Sequence, residues 1–186
     1  MMDFVSIDFE TAKKSRESAC AVGLVKFING KAADTYYSPI RPPNLYIRPD
    51  FTEIHGLTVD DVKDAPSFVD LWENGIRPFI GDFSLAAHNA NFDMDVLRTV
   101  LIWYRQEIPD LQYFCTCSLS RRSWPQLESH SLSFLAANFG IIYNAHNALD
   151  DALTCGKIAL LAAEKFCSGS VEELLTSTEL EMRRLA

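Results

Sequence analysis

VSIDFET, residues 5–11, is the stretch from which the fold can be argued. Its β-branched and aromatic residues predict a buried strand. Residues two apart on a strand share a face, so Asp8 and Glu10 are expected to project side by side. Two carboxylates this close repel each other, and a hard divalent cation with oxygen ligands is the usual remedy. The same spacing recurs at Asp93 and Asp95, so the pair by itself indicates little.

The composition indicates one globular domain. The chain has 186 residues, is 48% hydrophobic and carries a net charge of −8. This charge argues against a protein that coats nucleic acid through a broad basic face. An enzyme that holds a short nucleic-acid end through metals and a few local cations stays compatible with it. Lys13, Lys14 and Arg16 are either such cations or an ordinary solvated loop.

The N-terminal residues lack a basic region followed by a long apolar run, and no stretch reaches the roughly 18 to 20 apolar residues of a membrane span. We therefore expect no membrane association and a cytoplasmic location. The five cysteines form no paired CxxC framework. Neither a disulfide scaffold nor a zinc site is indicated.

The first third of the chain predicts three antiparallel strands. After the first strand, residues 12–18 form a polar loop, and residues 20–28 and 32–40 form two further strands. Asn29-Gly30 between them is a strong two-residue hairpin signal. Thr58 is expected to cap a short helix, and residues 67–79 have helical spacing of apolar residues.

The middle of the chain places a second acidic residue. Residues 83–88 read as a buried strand that ends in His88-Asn89. Asn91 is interpreted as the N-cap of the next helix, which places Asp93 in its first turn. Another short strand is expected at residues 112–116.

Residues 121–125 are interpreted as an exposed polar loop, and contact of Trp124 or the Arg121-Arg122 pair with a substrate is left open. A helix then ends at Gly140. Ser170 with Glu173 forms a capping-box signal for a terminal helix. That helix is expected to carry Leu174, Leu175, Leu180 and Met182.

The segment from His146 to Asp151 indicates a helix start. Asn147 with Asp150 resembles a capping arrangement, which leaves His146 outside the helix and Asp151 in its first turn. On a continuous helix the two side chains would diverge by roughly 140°. They converge only if His146 lies on the preceding loop, as the cap indicates.

The chain thus offers Asp8, Glu10, Asp93 and Asp151, with His146 beside the last. Four converging carboxylates require cations. Two divalent ions bridged by Asp8 would neutralise them and hold the attacking and leaving oxygens of a phosphoryl transfer. Magnesium or manganese suits oxygen ligands.

Three segments resemble the motifs of the DnaQ-like DEDD superfamily of exonucleases, in its histidine-bearing DEDDh branch. They are Ile7-Asp8-Phe9-Glu10-Thr11, His88-Asn89-Ala90-Asn91-Phe92-Asp93 and His146-Asn147-Ala148-Leu149-Asp150-Asp151. The resemblance covers roughly residues 3 to 166, including residues 53–58. It implies an RNase H-like α/β fold, a mixed sheet with antiparallel first three strands and helices on both faces. We expect an exonuclease domain at 1–167 and a helical appendage of that domain at 168–186.

The resemblance also implies 3′-to-5′ release of nucleoside 5′-monophosphates from single-stranded ends. DNA is the favoured substrate and RNA a possible one, since no motif reveals the contacts around the 2′ position that distinguish them. By motif matching, two Mg²⁺ or Mn²⁺ ions are held by Asp8, Glu10, Asp93 and Asp151, and His146 is the general base. Phe9, Thr11, His55 and Asn89 match substrate-binding positions. The chain departs from the family after Thr11, where Ala12-Lys13 replaces a common Thr-Gly, so the shape of that loop is open. The spacing to His146 favours Asp151 over Asp150 as the ligand.

Two alternatives stay open at this point. The first is a proofreading or accessory module that acts through a polymerase or helicase partner, with the terminal helix as its docking surface. The second is a small-nucleotide phosphodiesterase on the same site. Homodimerisation, which is common among stand-alone members of this superfamily, cannot be read from the sequence.

Overall fold

The structure, a computed structural model, describes residues 1–185. A six-stranded mixed sheet forms its centre. The strands are β1 (Phe4–Thr11), β2 (Ala19–Ile28), β3 (Lys31–Pro39), β4 (Leu85–Ala87), β5 (Gln112–Cys115) and β6 (Arg183–Arg184). Their order across the sheet is β3-β2-β1-β4-β5-β6.

The first three strands are antiparallel, as predicted, whereas β1, β4 and β5 run parallel to one another. The turn between β2 and β3 is the Asn29-Gly30 hairpin, with φ of 53° and 71°. Two positive φ values match the twist of the flanking strands. Because β1, β4 and β5 are parallel, their carboxyl ends meet at one edge of the sheet, where ligand sites of open α/β sheets usually lie.

Helices cover both faces of the sheet, which confirms the predicted architecture. They are α1 (Pro49–His55), α2 (Val59–Val62), α3 (Phe68–Leu71), α4 (Arg77–Ile80), α5 (Asn91–Trp103), α6 (Thr116–Ser123), α7 (Leu132–Asn138), α8 (Ala148–Lys165) and α9 (Val171–Ser177). A π-helical turn joins α3 to α4 at Trp72–Ile76, and a 3₁₀ turn lies at Arg16–Ser18.

Strand β1 divides its side chains between the two faces. Val5, Ile7 and Phe9 join the core that includes residues of α3, α4 and α5. Phe4 joins the second core, which includes residues of α8 and α9. Side chains alternate along a strand, so Asp8 and Glu10 project toward the other face, which α8 covers.

Helix α8 packs unusually close to β2. A Cβ atom on Gly23 would lie 2.3 Å from the carbonyl carbon of Ala148, in the first turn of the helix. A Cβ on Gly156, further along α8, would lie 2.1 Å from the ring of Phe27. Gly23 pairs directly opposite Asp8 across the ladder between β1 and β2. The absent side chain at this position therefore lets the start of α8 approach the acidic pair.

The predicted cap of α5 is wrong by one residue. The N-cap is Ala90, without a side-chain cap, and Asn91 is the first helical residue. The carbonyl of Asn89 accepts the N–H of Phe92 at 2.9 Å, so a backbone turn supplies the helix start. The side chain of Asn91 is engaged elsewhere, accepting a hydrogen bond from Arg183 at 3.0 Å. Asp93 nevertheless lies in the first turn, as predicted.

The predicted loop at residues 121–125 is also wrong. Arg121, Arg122 and Ser123 form the last turn of α6. Trp124 is 8% exposed, and its ring lies 4.6 Å from that of Phe139. Burial of the indole against the second core outweighs the polar character of its neighbours in sequence.

The terminal helix is shorter than predicted. Ser170 caps α9 by accepting from the N–H of Glu173, but the helix ends at Ser177. Leu180 and Met182 follow it, and Arg183–Arg184 pairs as β6 with β5. The edge of β5 carries backbone N–H and C=O groups that need partners, and an extended segment can pair with them whereas a helix cannot. Helix α9 buries Val171, Leu174 and Leu175 in the second core rather than presenting a free docking face.

Within residues 1–185 there is no helix with both the length and the apolar character needed to cross a membrane.

Candidate active site

Three carboxylates meet where β1 ends. Asp8, Glu10 and Asp151 each offer an oxygen, and these oxygens all lie within 4.8 Å of one another. Asp8 and Glu10 come from β1, and Asp151 comes from the first turn of α8. Two oxygens on opposite sides of one Mg²⁺ are about 4.2 Å apart. The three side chains are therefore within reach of a shared divalent cation.

Asp93 lies beside this group but is not part of it. Its side chain is 1% exposed, and Oδ1 accepts the backbone N–H of Phe9 at 3.1 Å. This contact ties the start of α5 to the end of β1. The charge of Asp93 still acts on the group, because it contributes to raising the pKa values of Asp8 and Glu10.

The electrostatics of the cluster favour a bound cation. Burial, and then the charges of Asp93, Asp151 and Glu10, raise the pKa of Asp8 well above its usual range. Burial and the neighbouring carboxylates raise the pKa of Glu10 to about 8. None of the ion pairs found across residues 1–185 involves these side chains. These carboxyls resist ionisation while no cation is near, and a bound Mg²⁺ or Mn²⁺ would favour their ionised form and be held by their oxygens.

We expect the metal-free protein to lose stability as the pH rises. The pKa of Glu10 is 4.5 ordinarily and about 8 in the folded protein, so the folded state binds more protons between these values. Its stabilising contribution is complete below the lower value and is lost as the pH passes the upper one.

Thermal unfolding midpoints in EDTA at about pH 5, 7 and 9 measure this dependence. Excess Mg²⁺ should flatten the profile, because the cation neutralises the same carboxylates. A midpoint in EDTA that increased over this range would contradict the electrostatic description of the cluster.

His146 lies on the loop before α8, as the predicted cap requires. Asn147 is the N-cap, and its side chain accepts the N–H of Asp150 at 3.2 Å. His146 is exposed and has a φ of 63°, which is uncommon for a residue other than glycine. Its charge and its backbone oppose the burial that raises the pKa of Asp151, so the two residues are close. The cap and the left-handed turn together place His146 beside Asp151.

Tyr143 is a site residue that the sequence did not reveal. Its hydroxyl donates a hydrogen bond to Oδ1 of Asp151. Burial and the contact with Asp151 raise the pKa of the phenol above its usual range, so the hydroxyl stays a donor. The contact joins residues eight apart around a loop, and no helical or strand periodicity signals it. Only its place three residues before His146 could have drawn notice.

The four residues expected to bind substrate differ in how far they are exposed to solvent. The side chains of Phe9 and Thr11 are 2% and 3% exposed, so they lie beneath the surface of the site. His55 is partly buried at the end of α1, and its Nε2 lies 3.3 Å from the carbonyl of Thr11. Burial lowers its pKa, and its Nδ1 accepts the N–H of Leu57, so the neutral imidazole holds α1 on the end of β1.

Asn89 is exposed and lines a cleft of about 580 Å³ at the carboxyl end of β4. Arg121 and His130 line the same cleft. His88 has a structural role in its wall. It is buried among hydrogen bonds to Thr116 and to the carbonyl of His130, and burial lowers its pKa to about 4.

The basic residues after β1 are largely engaged within the protein. Lys13 pairs with Glu17 at 3.3 Å. The guanidinium of Arg16 lies 4.2 Å from the centre of the Phe92 ring. Lys14 is exposed. The loop is thus partly folded onto its own neighbours.

A protein-family comparison now places this geometry in context. The family described as Exonuclease, RNase_T, matches residues 5–159. This chain belongs to the exonuclease family. The matched range contains all four acidic residues and His146. The expectation of a nuclease, drawn from the three motifs, is confirmed at the level of this exonuclease family.

Curated relatives carry names that agree with the family. The chain is 31% identical over 173 residues to the 3′-5′ exonuclease DinG of Staphylococcus aureus (strain MRSA252), covering 89% of this chain and 19% of that protein. It is 29% identical over 147 residues to the DNA polymerase III subunit epsilon of Buchnera aphidicola subsp. Schizaphis graminum (strain Sg), covering 75% and 62%. The chain therefore spans about a fifth of DinG and less than two thirds of the epsilon subunit.

Solved exonuclease structures share the fold. Exonuclease X in complex with 5′ overhanging duplex DNA superposes with a TM-score of 0.74 at 24% identity, covering 94% of this chain and 99% of that one. The nuclease domain of 3′hExo, a DEDDh family member bound to rAMP, gives a TM-score of 0.74 at 18% identity, covering 97% and 96%. The predicted RNase H-like exonuclease fold is confirmed.

Proposed function

We propose that this chain is a metal-dependent 3′-to-5′ exonuclease that hydrolyses single-stranded nucleic-acid ends, DNA in preference to RNA. One observation carries the proposal above all. Asp8, Glu10 and Asp151 bring their oxygens within 4.8 Å of one another at the foot of the loop that bears His146. Family membership and the names of the curated relatives agree with it.

Asp8, Glu10 and Asp151 would hold two Mg²⁺ or Mn²⁺ ions. We include Asp93 as the fourth ligand through Oδ2, because Oδ1 is occupied by the N–H of Phe9. When bound, the ions supply charge stabilisation to the phosphate oxygens. The protein holds the carboxylate oxygens close together in spite of their mutual repulsion. It does so because α5 and α8, which carry Asp93 and Asp151, are packed against the sheet.

His146 is proposed as the general base. A water oxygen attacks phosphorus while the imidazole of His146 takes the water proton. The bond from phosphorus to the 3′ oxygen of the preceding nucleotide breaks, which releases a nucleoside 5′-monophosphate. The departing 3′ oxygen takes a proton from solvent water and becomes the 3′ hydroxyl of the shortened strand. An exposed imidazole can pass its proton to solvent between turnovers.

The proposal of a strand end as the substrate rests on the charge of the chain and on the residues around the carboxylates. With a net charge of −8, the chain is expected to hold a strand end locally rather than along a broad basic face. Phe9, Thr11 and His55 are proposed to form the floor for the terminal nucleotide. The adjoining strand is proposed to enter the cleft lined by Asn89, where the exposed Arg121 can meet a phosphate and the exposed Glu128 limits the net positive charge.

A labelled-oligomer assay tests the function. Single-stranded DNA and RNA labelled at the 5′ end are incubated with Mg²⁺, Mn²⁺ or EDTA, with Asp8→Ala in parallel. Shortening from the 3′ end that EDTA and the substitution both abolish is the expected result, and the two rates rank the substrates. Lack of cleavage by folded protein would overturn the proposal. Hydrolysis confined to dinucleotides would favour the small-nucleotide phosphodiesterase.

We expect His146→Ala to lower kcat by about 10² to 10⁴-fold, the range for loss of a general base. Binding of Mn²⁺ should be almost unchanged, because the three clustered carboxylates remain. Single-turnover hydrolysis and calorimetric titration with Mn²⁺ measure the two effects. Asn144→Ala, at an exposed position of the same loop, serves as the matched control. Wild-type turnover in His146→Ala would remove this residue from the mechanism.

Partners and location complete the proposal. Association with a polymerase or helicase is proposed from the relatives, one of which is by name a polymerase subunit. A homodimer is proposed on the resemblance alone, and sedimentation of the purified chain tests it. A cytoplasmic location accords with the free thiols of all five cysteines, each of which falls within the described residues.

A further inference from the structure

We propose that Tyr143 is a positioning residue of the exonuclease centre: it orients the Asp151 carboxylate for metal binding and anchors the loop that carries His146. This inference rests on the proposed function. It assigns a role to a side chain outside the three sequence motifs.

The hydrogen bond from Tyr143 to Asp151 is made by a side chain that is packed against the core. The ring of Tyr143 packs against the second core, alongside residues of α7 and α8. Its hydroxyl lies next to the Ser133 hydroxyl and donates to Oδ1 of Asp151. A ring fixed by packing holds its hydroxyl in one place, so the hydrogen bond fixes the rotation of the carboxylate. Oδ2 does not take part in this hydrogen bond and is left for the cation.

The loop has few other anchors. It runs from Gly140, with φ of 66°, to His146, with φ of 63°. Among the backbone-to-backbone hydrogen bonds that the described residues form outside helices and strands, none involves residues 142–146. Asn144, Ala145 and His146 are exposed. Ile141 is held at the start of the segment by the hydrogen bond from its N–H to the carbonyl of Ala136, and within residues 142–146 it is Tyr143 whose side chain packs on the core.

This arrangement gives the hydroxyl and the ring of Tyr143 separate roles. A carboxylate ligand whose outer hydrogen bond is lost usually binds metal 10 to 100-fold less tightly. The ring packs on the second core three residues before His146, so it holds the loop on which the imidazole is presented. Loss of the hydroxyl alone should therefore act on metal binding and leave the loop and the floor proposed for the terminal nucleotide in place.

Tyr143→Phe tests the proposal because it keeps the ring and removes only the hydroxyl. The dissociation constant for Mn²⁺ is measured by calorimetry without nucleic acid, and hydrolysis is measured as a function of Mg²⁺ concentration. We expect Mn²⁺ binding to weaken by about 10-fold and the half-saturating Mg²⁺ concentration to increase by a similar factor. The KM for the oligomer should change little, and high Mg²⁺ should restore most of kcat. Tyr104→Phe, a partly buried tyrosine stacked on Phe68 in the other core, is the matched control.

The outcomes separate this inference from the proposed function. Wild-type Mn²⁺ affinity and Mg²⁺ dependence in Tyr143→Phe would overturn the positioning role. A lower unfolding midpoint in EDTA with a kcat loss that Mg²⁺ does not restore would also overturn it, since that result indicates a structural role. If the unsubstituted protein bound Mn²⁺ but hydrolysed no nucleic acid, the proposed function would fail while weaker Mn²⁺ binding by Tyr143→Phe still supported the positioning role.

Discussion

Asp8→Asn is expected to abolish hydrolysis and, in the absence of metal, to stabilise the protein. Asp8 is the carboxylate on which burial and three neighbouring acids act together. The unfolded chain ionises Asp8 readily at pH 8, whereas the raised pKa opposes ionisation in the fold, so this residue costs the metal-free protein stability. Asparagine keeps the shape and cannot ionise, so that cost disappears. We expect a gain of about 1 to 2 kcal/mol in the free energy of unfolding at pH 8 in EDTA.

Activity should fall on the order of 10³-fold or more, because residues that act as a unit fail together. Mg²⁺ should reverse the order of stabilities. The unsubstituted protein gains about 2.7 kcal/mol at a metal concentration of 100 times its dissociation constant, and Asp8→Asn gains much less. The measurements are denaturant unfolding with EDTA or Mg²⁺, and hydrolysis of a labelled single strand.

Asp95→Asn is the matched control. Asp95 has the same spacing from Asp93 that Glu10 has from Asp8, but it is exposed on α5. It should change neither metal dependence nor turnover. If Asp8→Asn destabilised the protein in EDTA as much as in Mg²⁺, the cluster would not be the repulsive metal site described above.

Gly23→Ala should have the second largest effect. The added Cβ would lie 2.3 Å from the carbonyl carbon and oxygen of Ala148 and 2.4 Å from the backbone N of Leu149. These are backbone atoms, so no side-chain rotation relieves the contact, and the start of α8 must move away from β2. Because Gly23 is paired with Asp8, this movement carries Asp151 away from the acidic pair.

We expect a loss of about 1 to 3 kcal/mol in the free energy of unfolding, the usual cost of overpacking. The midpoint should fall by roughly 2 to 12 °C. A displacement of about 1 Å at the reacting centre can lower turnover by 10²-fold, and weaker Mn²⁺ binding should accompany it. Thermal unfolding, Mn²⁺ calorimetry and hydrolysis at a temperature where the variant is folded measure these effects.

Gly156→Ala separates the two consequences. It meets the ring of Phe27 further along α8, so it should destabilise the fold with a smaller change in Mn²⁺ affinity. Gly169→Ala, where the nearest atom is a flexible carboxylate oxygen of Glu173 at 3.3 Å, should be close to neutral. Full Mn²⁺ affinity in Gly23→Ala would show that the close approach of α8 does not position Asp151.

Local signals were sufficient where the physical cause is local. The Asn29-Gly30 turn needs two positive φ values, and the pair adopts them in any context that joins two strands. Asn147 caps α8 because its side chain reaches an N–H three residues away. Because Asn147 is the cap, His146 lies on the loop and Asp151 lies in the first turn of the helix, as predicted. Alternation along β1 likewise put Asp8 and Glu10 on one face.

Non-local contacts overrode local signals elsewhere. Asn91 has the composition of an N-cap, but the backbone turn at Asn89 starts α5 and Arg183 occupies the amide. Trp124 lies in a polar stretch, yet packing on Phe139 buries it. The last residues follow a helical pattern, but the free edge of β5 recruits them as a strand.

The sequence by itself determined the chemical identity of the site: two carboxylates on one strand face, an acid in the first turn of each of two helices, and a histidine just outside the second. These follow from periodicities and caps that operate within a few residues. Only the tertiary structure decided that Asp93 accepts the N–H of Phe9, that Gly23 admits α8, and that Tyr143 holds Asp151. These contacts depend on the distance between elements that are packed together, and that distance is set by the whole core rather than by neighbours in the chain.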